Sequence, residues 1–116
     1  PGADMESWLR AMVGLFFDYH LSVGPIIRLM QEEALRGDSP LAVHRQQAHG
    51  EMQALLQQRL ALTDKEVPAL TYQALIWAME AASLNLLNRA APRQEIGEAK
   101  TVLGDLLLAV LCPRTT

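Results

Sequence analysis

The groups in this 116-residue chain that could hold a metal or move a proton include three histidines, thirteen acidic residues and one cysteine. His20, His44 and His49 contain no pair four residues apart, and no cysteine lies near them. The two-histidine grip that one helix face offers to zinc is therefore missing, and no metal site is expected. Cys112 falls at the end of the last apolar stretch, beside Pro113, and reads as an incidental thiol. The chain has no glycine-rich phosphate cradle and no nucleophile elbow. Spacing suggests no nucleophile–base arrangement, so the chemistry to expect is binding rather than turnover, with no cofactor.

Two titratable residues sit among apolar neighbours. His20 continues a stripe of Leu9, Val13 and Phe16. It has two readings: a ligand-binding group that changes charge near neutral pH, or a core histidine bonded to a carbonyl in the turn that follows. Glu80 lies between Ile76 and Leu87. It could pair with Arg89 or another base of a second copy, draw in a cationic ligand, or sit on an exposed edge. A buried carboxylate would need a partner. His44 flanks an apolar face with Gln47 and Glu51 beside it, in a surface or helix-packing role, and His49 is expected to face solvent.

Five helical segments must position these residues. No stretch alternates with period two, so strands are not expected. The first helix spans about 3–21. Its main stripe is Leu9, Val13, Phe16 and His20, with Trp8, Met12, Leu15 and Tyr19 alongside at ~100° per residue. "SVGP" breaks it, and Pro25 opens a second helix over 25–36, with Ile26, Ile27, Met30 and Ala34 apolar. "RGDSP" closes that helix and opens a third over 40–62, with Ser39 as N-cap. Its narrow stripe is Leu41, Ala48, Met52, Leu55 and Leu56. Thr63 and Glu66 fit a capping box, but Pro68 lies too deep for a helix starting there. The fourth helix is therefore placed at 67–88 and the fifth at 92–111.

The fourth and fifth helices carry two dry faces each. On the fourth, Ala74, Ala78, Ala81, Ala82 and Asn85 form a face of small residues. Tyr72, Leu75, Ile76, Met79 and Leu86 form a face of large ones. Small residues let another helix approach; large ones fill a core. On the fifth, Ile96, Ala99, Val102, Leu103, Leu106, Leu107 and Val110 cover a broad arc, beside a smooth strip of Gly97, Thr101 and Gly104. A glycine inside a helix costs ~1 kcal/mol relative to alanine, so two glycines seven residues apart imply a close helix contact. The expected solution is a homodimer in which two such hairpins form an intermolecular four-helix bundle. The interface residues would be Ala74, Ala78, Ala81, Ala82, Asn85, Leu103, Leu106, Leu107 and Val110.

Composition sets the outer limits. The length suits one domain. Half the residues are hydrophobic and a fifth charged, with a formal net charge of −3. That balance does not suit gripping a phosphate backbone. No run reaches the ~18 to 20 apolar residues a membrane span needs. One cysteine and no visible secretory signal fit a cytoplasmic protein. A chain that opens on Pro1 rather than Met reads as processed or as a fragment.

The order of elements resembles the C-terminal regulatory domain of the Tet repressor (TetR) family of bacterial transcription regulators. The carrying stretches are "LRAMVGLFFDYHLSVGPIIRLMQEEALRGDSPL", the Gln-rich helix after it, "VPALTYQALIWAMEAASLNLLN" and "EIGEAKTVLGDLLLAVL". The resemblance implies that the last two helices dimerise. It also implies that the earlier ones enclose a small-molecule effector, and that a separate helix-turn-helix module, not in this sequence, binds DNA. An apolar or amphipathic effector would meet Met12, Phe16, His20, Met30, Met52, Tyr72, Leu75 and Met79. These are adaptable or flat side chains, with the Tyr72 hydroxyl to orient a guest. A helical dimer that binds other proteins and has no small-molecule site is the alternative.

Overall fold

In the computed structural model, which describes residues 2–34, 36, 40–60 and 67–112, the chain is all-α. Five helices follow in order: α1 (Gly2–Ser22), α2 (Gly24–Ala34), α3 (Pro40–Leu60), α4 (Ala69–Asn88) and α5 (Arg93–Leu111). Four of the five start within one residue of where the apolar period and the Pro and Gly signals place them, and α4 starts two residues later than expected, at Ala69, because the helical ladder begins only after Pro68, whose carbonyl accepts from the Thr71 N–H at 2.9 Å. Pro40 opens α3, where a missing N–H costs nothing. Ser39, Gly37, Thr63 and Glu66, which carry the cap readings, lie outside the described residues.

The turn between α4 and α5 is the best-defined stop signal. The Ala91 N–H donates to the Leu86 carbonyl at 3.0 Å and the Ala90 N–H to that of Leu87 at 3.1 Å. This crossed pair satisfies the last carbonyls of a helix. It requires a left-handed residue, and Ala90 takes that conformation with φ 50°. Pro92 then precedes α5 in extended backbone. A shorter break separates α1 from α2, where only Val23 intervenes.

Packing divides the chain into two compact units. The first holds α1, α4 from Ala78 onward, and α5; the second holds α2, α3 and α4 up to Trp77. In the first unit α1 packs against α5. Arg10 pairs with Asp105 and Asp18 with Lys100, so the two helices run antiparallel. Its core is built from Leu9, Val13 and Phe17 on α1, Met79 and Ser83 on α4, and Leu107 and Leu111 on α5, all essentially inaccessible. Phe17 joins this core, while Leu15 and Tyr19, expected in an apolar stripe, are 70% and 61% exposed. The reason is angular: the buried arc of α1 is centred near Leu9, and Leu15 and Tyr19 lie at its far edge.

In the second unit α2 packs on α3, and Gln73 of α4 donates to Gln53 of α3 at 3.3 Å. The buried face of α3 is rotated from the expected one. Ala42, Leu56 and Leu60 are buried, with Arg45 and His49 half-buried between them. Ala48 and Leu55 are exposed, and His49 is not the solvent-facing residue anticipated. With few strong hydrophobes among many glutamines, α3 presents two competing stripes, and its neighbours decide between them.

Candidate functional site

The two dry faces of α4 meet different fates. Tyr72, Leu75, Ile76, Met79 and Leu86 are all buried. On the small-residue side, Ala74, Ala81 and Asn85 are exposed and Ala78 and Ala82 half-buried. The chain's own packing leaves this strip only partly covered. Asn85 is engaged all the same: its Oδ1 accepts from Arg89 Nε at 2.9 Å. Arg89 also holds Glu95 with Nη2–Oε1 at 2.8 Å and Nη1–Oε2 at 3.3 Å. This fork straddles the α4–α5 turn and keeps the Glu95 carboxyl below the usual carboxylate range, chiefly through the Arg89 hydrogen bonds.

On α5 the broad arc splits. Leu103 and Leu107 are 8% and 0% exposed, so in this structure they are core of the chain itself rather than surface. Val102 and Leu106 remain 60% and 42% exposed, and Val110 is half-buried. The two glycines also separate. A Cβ on Gly97 would meet nothing within 4 Å, whereas one on Gly104 would come within 2.9 Å of Arg10 Nη1. The close contact at Gly104 is thus made within the chain, by α1.

Residues proposed to receive an effector fall in both units. Met12, Phe16, His20 and Met79 belong to the first, and Met30, Met52, Tyr72 and Leu75 to the second. Met12, Phe16, Tyr72, Leu75 and Met79 are buried, while His20, Met30 and Met52 are half-buried. Burial pushes the Tyr72 hydroxyl above its ordinary pKa. Phe16 and His20 are in contact. Their rings stack with centroids 3.9 Å apart and planes 24° from parallel. His20 Nδ1 lies 2.9 Å from the Phe16 carbonyl, one helical turn back. Donation to that oxygen puts the proton on Nδ1. This carbonyl belongs to α1 itself rather than to the following turn. Tyr19 closes the group edge-on, 5.8 Å from the imidazole.

Glu80 is 7% exposed, which removes the reading of an exposed edge. Its backbone carbonyl accepts from the Ser83 hydroxyl at 2.8 Å. His44, Gln47 and Glu51 are exposed. Among the described residues no group of three histidine, cysteine or acidic side chains is placed to hold a metal ion. Among them, too, no helix is long and apolar enough to cross a membrane.

The only local signal for Arg10 is Glu6 four residues earlier, which marks it as half of a helical ion pair. Its partners Asp105 and Gly104 are ninety-odd residues away, where no local signal points to them.

Comparison with known proteins found no matching family model, no matching curated protein and no matching solved structure.

Proposed function

We propose that this chain is the effector-sensing and dimerisation domain of a TetR-like transcription regulator. One observation carries the reading: α4 buries its large face within the chain and leaves its small-residue face only partly covered. Ala74 and Ala81 are exposed in register, with the exposed Trp77 one turn from each, so short side chains that admit another helix lie beside a large apolar one that would gain from being covered. Val102 and Leu106 add uncovered apolar surface on α5. A second copy meeting both helices would form a two-fold interface. The effector would be an apolar or amphipathic small molecule. Its binding shifts the population between arrangements of the early helices, and DNA binding by a separate helix-turn-helix module follows that shift.

Sedimentation equilibrium at micromolar concentration tests the dimer; a monomer refutes it. A thermal-shift screen with apolar and amphipathic ligands tests the sensor, and a flat profile across the series counts against it. A reading frame that continues upstream of Pro1 into a helix-turn-helix module supports the regulator class.

A second reading is a helical dimer that binds proteins and has no small-molecule site. The near-complete burial of Met79 and of Tyr72, at 0% and 4% exposed, favours it, since side chains so well covered serve as core filler.

A further inference from the structure

We propose that Arg10 is a register clasp. Lying in the notch that Gly104 leaves on α5, it sets how far along α5 the helix α1 sits. Arg10 crosses Gly104 along its length. A Cβ on that glycine would lie 2.9 Å from Nη1, 3.6 Å from Cγ and 3.9 Å from Cζ. Nη2 reaches past the notch to Asp105 Oδ1 at 2.7 Å. Nε is steadied from its own helix by Glu6 Oε1 at 3.4 Å. Eight residues further along α1, a second pair has the opposite sense: Lys100 Nζ on α5 donates to Asp18 Oδ1 on α1 at 2.6 Å.

The reversal of sense is what defines a register. The apolar side chains of α1 recur at nearly every turn, so a slide of one turn (about 5.4 Å) offers a similar oily surface to α5. The charges do not recur. A slide towards the start of α5 brings Arg10 against Lys100. A slide the other way brings Asp18 against Asp105. Either movement exchanges two attractive pairs for a like-charge encounter, and removes Arg10 from the notch at Gly104. All four charged side chains keep contact with solvent, with exposures of 31% to 64%. The clasp is therefore screened by salt while the apolar contacts beneath it are not.

Hydrogen exchange of α1 amides, measured on the whole chain, tests this. Arg10→Asp and Asp105→Arg should each speed exchange along α1, by about two- to fivefold for an exposed pair. The variant carrying both changes restores the attraction and should return to within about twofold of the starting protein. Roughly 1 M salt should speed exchange in the starting protein and change it little in Arg10→Met, whose side chain is uncharged. Gly104→Ala places a Cβ 2.9 Å from Arg10 Nη1 and also makes α5 a better helix; in Arg10→Met only the second effect remains, so the alanine should slow exchange more there than in the starting protein. A swapped variant no better than the two single changes added together overturns the proposal. So does salt-independent exchange in the starting protein. Additive effects of Gly104→Ala and Arg10→Met overturn the role of the notch.

Discussion

Placing a carboxylate at position 81 separates the fold from the assembly. Ala81 is exposed on the small-residue strip of α4. Within one chain, Ala81→Glu removes no buried contact and introduces a good helix former, so stability should change by no more than about 0.5 kcal/mol. In the proposed dimer the same residue lies at a close helix approach. Each inserted side chain there costs about 1–3 kcal/mol in overpacking. Two-fold symmetry introduces the change twice, for about 2–6 kcal/mol in all. At 1.4 kcal/mol per tenfold, association weakens by at least about 30-fold, and desolvation of the carboxylates acts in the same direction. Sedimentation equilibrium gives the association constant, and circular dichroism with thermal melting at low concentration isolates the monomer. Leu15→Glu, on an α1 position that is 70% exposed, is the control and should leave association unchanged. An Ala81→Glu protein that dimerises as tightly as the starting protein refutes the interface. A large loss of monomer stability refutes the exposure on which the reasoning rests.

Ala90→Gly should stabilise the chain by about 0.5–1 kcal/mol in denaturant melts, because Ala90 holds φ at 50° and glycine has no Cβ to strain there. Phe17→Ala should destabilise by about 3–5 kcal/mol, since Phe17 is 0% exposed and its loss opens a cavity in the first unit. The Glu95 carboxyl, held below its ordinary pKa by Arg89, stabilises the folded chain above its unfolded pKa of about 4.5. That contribution disappears as pH falls through the lower folded value. Melting of the starting protein and of Glu95→Gln should therefore differ at neutral pH and converge in acid below that value.

Much of the architecture was legible in the residue pattern because its signals are local. Helix boundaries follow from Pro25, Pro40, Pro68 and Pro92, whose rings act on the backbone within a turn. The large face of α4 is also readable, since Tyr72, Leu75, Ile76, Met79 and Leu86 repeat at helical spacing. On α3 the pattern failed. A Gln-rich helix distinguishes its faces by only a few methylene groups, and a rotation of a fraction of a turn exchanges Leu55 for Leu60 in the core. Of the candidate site, the small-residue strip on α4 was readable. The burial of Leu103 and Leu107 was not, because a broad apolar arc does not say which part of it the chain's own helices cover.

What the sequence by itself determined is therefore the set of five helices and the division of α4 into two faces, because hydrophobic period and backbone sterics act over a few residues. Only the tertiary structure decided which glycine another helix of the chain meets. Gly97 and Gly104 have the same local character and the same helical cost. One looks onto open space and the other is covered by Arg10, and that difference is made by a side chain far away in sequence, whose approach depends on how α1 packs as a whole.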